Sequence, residues 1–226
     1  MRELAWTGQH AAAIDLATEA LTTLGRGGSR PAPTVTMDLL DLRAESYIAI
    51  GKLDLAMKDA KAMGKLAKTV GARHVVPLHA MALNRLALVQ MRTGDLKGAL
   101  KSATAAVKTK HNSPALRAES LFRLAEAQWR ARQLDAALET AQRTIHAYQE
   151  LGDASGTGRA YWVLSGVFYR SDRAEESRRT AQTALEQGRQ AGDSYGIGNA
   201  LPLQLANTDV DIAEQIQHYQ QAKERF

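Results

Sequence analysis

The chain has 226 residues, 45% hydrophobic and 23% charged, enough to bury one or two ordinary cores or one elongated repeat array. It contains no cysteine, which excludes disulfides, thiolate metal sites and a cysteine nucleophile. The net charge of +5 is uneven: residues 1–110 hold 16 Lys and Arg against 9 Asp and Glu, and residues 111–226 hold 13 against 15, so a nucleic-acid surface has to be weighed on the first half.

The N-terminal run Met1-Arg2-Glu3-Leu4-Ala5-Trp6 lacks the apolar stretch and cleavage site of a signal peptide. No run reaches the ~18 apolar residues of a membrane span. The expected compartment is the cytoplasm, without membrane contact. Residues 1–24 form a partial first repeat: residues 1–7 read as the tail of a helix, Gly8 as a turn, and Ala13, Ala17 and Ala20 as one face of a second helix. The stretch from Gly25 to Pro33, dense in Gly and Pro, reads as the one long flexible connector.

From there the helix pairs recur. Repeat two (34–70) carries Leu40, Ala44 and Tyr47 on its first helix, a turn at Gly51, and Ala56, Ala60 and Met63 on its second. Repeat three (77–110) carries Leu83, Leu86, Ala87 and Gln90, then Gly94, then Ala99, Ala103 and Ala106. Repeat four (114–151) opens on Ser113-Pro114, a capping residue followed by proline in the first turn. It continues with Leu121, Leu124, Ala125 and Gln128, a turn at Arg132, and Ala137, Ala141 and Thr144. Repeat five (154–191) has Tyr161, Leu164, Ser165 and Phe168, a turn at Asp172, and Ser177, Ala181 and Ala184. Gly152 and Gly192 are placed to end second helices, with Asp153 and Asp193 starting the next. A partial sixth repeat (194–226) ends in a drifted stripe of Gln215, Tyr219 and Ala222.

The turns align as Gly8, Gly51, Gly94, Arg132 and Asp172, at steps of 43, 43, 38 and 40 residues. Small residues at i, i+4 and i+7 after each turn let neighbouring helices approach closely. With its large residue, small residue and aromatic on the first helix and its alanines on the second, this pattern resembles the tetratricopeptide repeat. The resemblance covers nearly the whole chain. It departs from the usual signature at Ala44, Ala87, Ala125 and Ser165, where glycine is usual, and at Gln90 and Gln128, where an aromatic is usual. The period of about 40 exceeds the usual ~34. Helix pairs ending in Leu151-Gly152-Asp153 or Ala191-Gly192-Asp193 are similar to a long-period subclass of large bacterial signalling proteins, such as ATPase-coupled transcription activators and class III nucleotide cyclases. The resemblance implies an all-α fold, a right-handed α-α superhelix of five to six helix pairs forming a single array over 1–226. Both ends fall inside a repeat, and because solenoids need capping repeats the chain reads as a piece of a longer protein.

Chemistry-bearing constellations are missing from the sequence. His74 and His79 are five apart, which misses the i, i+4 spacing of helical zinc ligands. Gly25-Arg26-Gly27-Gly28 lacks the Lys-Ser/Thr end of a phosphate loop. Gly156-Thr157-Gly158 and Ser165-Gly166 follow or lie in helices, where neither a dinucleotide fingerprint nor a nucleophile elbow belongs. Glu175-Glu176 fits a helix start. No catalytic residue, metal or cofactor is expected.

The resemblance implies that first helices line a concave face where a protein or peptide is held. Aligned repeats give the ladders Asp41/Asn84/Phe122/Trp162, Ile48/Met91/Trp129/Tyr169, Glu45/Leu88/Glu126/Gly166 and Ala49/Arg92/Arg130/Arg170. The candidate partner-binding residues are therefore Phe122, Glu126, Trp129, Arg130, Trp162, Tyr169 and Arg170, with Asn84, Met91 and Arg92 from repeat three. Trp, Tyr and Arg are the commonest anchors of partners, and Gly166 would leave room for a chain to approach. The competing reading is that these aromatics pack between helices. The Lys and Asn pattern of a carboxylate clamp is absent, so chaperone tails are not expected as ligands. Lys58, Lys61, Lys65 and Lys68 form a stripe on an outer helix, which reads chiefly as a solvated face; the alternative is a surface for an acidic partner, nucleic acid included, though a nucleic-acid surface would rather combine arginine with interleaved aromatics. The expected function is that of a non-catalytic binding scaffold within a larger bacterial regulator. The alternatives are an adaptor that self-associates through uncapped ends and, less favoured, a basic nucleic-acid binder.

Overall fold

A computed structural model describes residues 2–26, 32–69 and 72–205. The central part of the connector, the Gln215/Tyr219/Ala222 stripe and the C-terminal end lie outside the described residues. Among the described residues there are eleven helices and no strand, so the fold is all-α. The chain divides into two compact units, Met1–Leu116 and Arg117–Phe226.

The first unit contains α1 (Arg2–Trp6), α2 (His10–Arg26), α3 (Pro33–Ala49), α4 (Leu53–Thr69), α5 (Ala72–Arg92) and α6 (Leu96–Lys108). Each helix packs on the next from α1 to α6, and the first helices α3 and α5 also touch, as expected when helix pairs stack side by side. Met37, Leu40, Met63, Ala67, Leu78 and Ala82 form one buried cluster, and Ala56, Ala60 and Val89 form another beneath Tyr47 and Leu86. Helix α5 begins before Pro77, the residue at which the sequence pattern opens the repeat, and carries the proline inside it.

The second unit contains α7 (Pro114–Arg130, from Arg117 onward), α8 (Leu134–Glu150), α9 (Ala154–Arg170), α10 (Ala174–Ala191) and α11 (Ser194–Leu205). Here α9 is central, packing on α8, α10 and α11. Its core gathers Phe122, Ile145, Tyr148, Trp162, Val163, Leu164, Phe168 and Leu185.

Among the described residues the small-residue stripes face inward, with Ala20 half-buried at the end of the first. Ala13, Ala17, Ala56, Ala60, Ala99, Ala103, Ala137, Ala141 and Ala181 are all buried, as are Thr144 and Ser177. Where repeat five replaces the alanines of both facing helices by serine, the hydroxyls are reciprocally satisfied. Ser165 Oγ donates to the Ser177 carbonyl at 2.8 Å, and Ser177 Oγ donates to the Ser165 carbonyl at 3.0 Å. The glutamine that stands for an aromatic in repeat three is used in the same way: Ser102 Oγ donates to Gln90 Oε1 at 2.7 Å, tying α5 to α6.

The turns share one backbone device. Gly8, Gly51 and Gly94 have φ of 80°, 74° and 82°, and the aligned Arg132 and Asp172 have φ of 61° and 56°. The tight turn requires the left-handed region regardless of residue type, which costs an L-residue about 1–2 kcal/mol. Arg132→Gly relieves this at the expense of a more flexible unfolded chain. It is expected to stabilise the protein by about 0.5–1 kcal/mol, raising Tm by about 1–4 °C by thermal denaturation. The helix starts read at Asp153, Asp193 and Ser113 are capped: Asp153 and Asp193 each accept from the backbone N–H three residues on at 2.8 Å, and Ser113 Oγ accepts from Leu116 at 3.2 Å; Asp95 caps α6 in the same way at 2.8 Å.

Candidate functional site

In the second unit, α7 presents a row of alternating charge at helical spacing: Glu119, Arg123, Glu126 and Arg130. Arg123 pairs with Glu119 at 2.7 Å and with Glu126 at 3.2 Å. Arg130 grips Glu126 from the other side, with Nε at 3.0 Å and Nη2 at 2.9 Å. Glu126, placed on the ladder by its register, is thus buried, with a side chain 2% exposed, and is satisfied by two arginines of its own helix.

Two neighbouring helices join this row. Tyr148 of α8 donates its hydroxyl to Glu119 at 3.0 Å. Burial, then the adjacent Glu119 charge, pushes the Tyr148 phenol well above its ordinary pKa, so it remains a donor. Asp193 is 4% exposed and accepts from Ser155 Oγ at 2.6 Å while it caps α11, with Arg159 Nε at 3.8 Å. Gly156, considered in the sequence only as part of a weak motif, accommodates the Tyr148 ring, since a Cβ there would lie 2.3 Å from it.

The predicted aromatics do come together. Trp129 and Trp162 meet edge to face, with ring centroids 5.3 Å apart and planes at 86°. Phe122 and Trp162 are buried, and Trp129 packs half-buried against the same core. Gly166 does not hold open space for a partner chain: a Cβ built there would sit 2.3 Å from Trp129 Cζ2, so the indole already occupies that place. Guanidinium groups cover the rings: Arg123 and Arg159 lie 4.9 and 5.7 Å from the Phe122 centroid, and Arg130 and Arg170 lie 5.5 and 5.9 Å from that of Trp129. Trp129 Nε1 is buried without a hydrogen-bond acceptor among the described residues. Tyr169, 46% exposed, and the exposed Arg170 are the members of the set that solvent reaches freely.

In the first unit, Asn84 and Met91 are buried and Arg92 is half-buried. Here the sequence register missed Arg85, one position beyond Asn84. Arg85 makes a bidentate pair with Asp41, 2.7 and 3.0 Å, and approaches Glu45 at 3.5 Å, linking α5 to α3. Arg43 similarly joins α3 to Asp59 of α4 at 2.8 and 2.7 Å and to Thr18 of α2 at 3.1 Å. The signal for both was an arginine one or two positions from a ladder residue, too common a pattern to single out in a chain with 29 Lys and Arg.

No three metal-ligating side chains come together among the described residues, and no helix there is long and apolar enough to cross a membrane. No protein-family model and no curated protein matches the chain. Solved structures do. Aspartyl phosphate phosphatase F from Bacillus subtilis aligns over 99% of this chain with TM-score 0.73 at 16% identity, and the chain spans 58% of that protein. BtubC (BKLC) from P. vanneervenii aligns over 98% of this chain and 87% of its own, with TM-score 0.63 at 13% identity. A Podosopora anserina protein described as a kinesin light chain with nearly identical TPR-like repeats aligns over 85% and 93%, with TM-score 0.58 at 17% identity. At such identities the likeness establishes the TPR-like helical-repeat fold.

Proposed function

We propose that the chain is a non-catalytic scaffold that binds a protein or peptide, and that it serves as the sensor or assembly module of a larger, cytoplasmic bacterial regulator of the ATPase-coupled activator or nucleotide-cyclase type. The observation that carries the binding reading is the arrangement at the ends of α7 and α9. Arg170 is exposed, has no ion-pair partner among the described residues, and is stacked over Trp129 beside the exposed Tyr169. An arginine that rests against an indole while its donors stay free is restricted before a partner arrives, so less entropy is lost when it is used. Arg130 beside it is held by the buried Glu126. Phe122 and Trp162 act from beneath, as the rigid floor of the site. Support for the regulatory context comes from the long-period resemblance and from a structure of this fold, a Rap protein complexed with Competence and Sporulation Factor, which aligns over 99% of this chain with TM-score 0.64 at 14% identity and of which the chain spans 60%.

The test is selection from a random peptide library on the full chain. Selected peptides are expected to bind Tyr169→Ala/Arg170→Ala at least ten-fold more weakly, with unchanged circular dichroism, because both side chains point to solvent. Peptides that bind this variant as well as the parent would remove the site from these residues.

A further inference from the structure

The outer faces of the first unit's second helices carry a charge pattern that folding does not account for. On α4, Lys58, Lys61, Lys65 and Lys68 are all exposed, and on α6 so are Lys97, Lys101 and Lys108. Among the described residues none of the seven has an ion-pair partner. The α4 face carries Asp54 as its one exposed acid, Asp59 being buried against Arg43, and α6 has no acidic residue along its length. Lys58 and Lys101, and likewise Lys65 and Lys108, are one 43-residue repeat apart, so the same outward position is basic in both helices.

The second helices of the other unit show what the same face looks like when it is merely solvated. There Arg143 pairs with Glu139 and His146 with Glu150 on α8, and on α10 Arg178 and Arg179 share Glu175 while Arg173 pairs with Glu176. Those charges are neutralised by neighbours three or four residues away, the spacing that stabilises helices. The lysines of α4 and α6 give up that benefit. Lys97 also stands in the first turn of α6, where the helix dipole disfavours a cation.

We infer that the lysine face of α4 docks an acidic helical segment of a partner protein. Lys58, Lys61, Lys65 and Lys68 step by three and four residues, about 5–6 Å apart along the helix. A helix bearing Asp or Glu at i, i+3, i+7 and i+10 presents carboxylates at the same step and can lie against them rung by rung. Lysine alone suits carboxylates as point charges. The face has no arginine fork of the kind favoured for phosphate and no aromatic on which a base could stack. It also has no large apolar side chain exposed along α4 or α6 to enter a lipid surface. The second helices α8 and α10 do not offer this pattern to a second copy: neither carries acids at i, i+3, i+7 and i+10.

The test is fluorescence anisotropy of the full chain with a labelled helical peptide carrying glutamate at that spacing. A scrambled peptide of equal charge, a 20-base-pair DNA duplex and anionic vesicles serve as competitors. The ordered peptide is expected to bind at least five-fold more tightly than the scramble and to lose ten-fold or more when salt rises from about 50 to about 300 mM. Lys61→Glu/Lys65→Glu should lose at least ten-fold with unchanged circular dichroism, and Tyr169→Ala/Arg170→Ala should bind as the parent does. The lysine face thus stands or falls separately from the Arg170 site. Equal binding of ordered and scrambled peptides, undiminished binding by the Lys→Glu variant, or stronger competition by DNA or vesicles would each overturn the inference.

Discussion

Gly166→Ala should destabilise the second unit by about 1–3 kcal/mol and lower its melting temperature by several degrees, although glycine-to-alanine in a helix interior ordinarily stabilises by about 0.5–1 kcal/mol. The sign is decided by the neighbour. An added methyl at position 166 would sit 2.3 Å from Trp129 Cζ2 and 2.4 Å from Cε2, far inside contact distance. The indole cannot easily yield, because Trp162 meets it edge to face and Arg130 and Arg170 lie against it. Relief requires α7 and α9 to separate or Trp129 to leave its place, and either loosens the core around Trp162. Gly64→Ala on α4 is the matched control: nothing lies within 4 Å of its added methyl, so the ordinary gain of about 0.5–1 kcal/mol should appear there. Thermal denaturation of the two variants should move in opposite directions. A Gly166→Ala protein as stable as the parent would mean that Trp129 is not seated on the glycine. It would also make Trp129 available as an exposed anchor.

Much of this fold could be read from period alone. The alanine stripes work because a buried small residue every turn is required by helix stacking and by little else, so the pattern survives changes elsewhere. The turns are recognisable for a similar reason: the backbone needs positive φ there, glycine supplies it in three repeats, and the alignment carries the requirement to Arg132 and Asp172 even though neither residue advertises it. The start of α5 was harder, because Pro77 reads as a beginning when it is tolerated within a helix that opens at Ala72.

That the candidate side chains cluster was legible more than how they are oriented. Register brings Phe122, Trp129, Trp162, Tyr169, Arg130 and Arg170 to one region, but it says nothing about which side of a ring faces solvent. Gly166 illustrates the ambiguity. A glycine opposite a tryptophan makes room equally well for a foreign chain or for the tryptophan itself, and only the distance between α7 and α9 decides. Arg85 and Arg43 stayed hidden because ion pairs between helices depend on side-chain reach, which tolerates a shift of one residue that a ladder does not.

Glu126→Ala should cost about 2–4 kcal/mol, and the reason lies in the charges it would strand. Its carboxylate is 2% exposed and accepts from Arg123 at one oxygen and from Arg130 at the other. Breaking a buried pair by removing one partner typically costs about 3–5 kcal/mol, since the remaining charge is left desolvated. The figure is lower here because Arg123 keeps Glu119 at 2.7 Å and Arg130, 28% exposed, can turn towards water. A double-mutant cycle separates the two effects. If stranded charge is the main penalty, Glu126→Ala/Arg130→Ala should be less destabilised than the sum of the single variants by about 1–2 kcal/mol. Additivity within about 0.5 kcal/mol would assign the loss to packing instead. The same cycle bears on binding. Once Glu126 is gone, Arg130 loses its fixed direction beside Trp129, so peptides selected on the parent should bind Glu126→Ala more weakly under conditions where it is still fully folded. Retained affinity in the folded variant would show that Arg130 is held for stability alone, leaving Tyr169 and Arg170 to carry recognition.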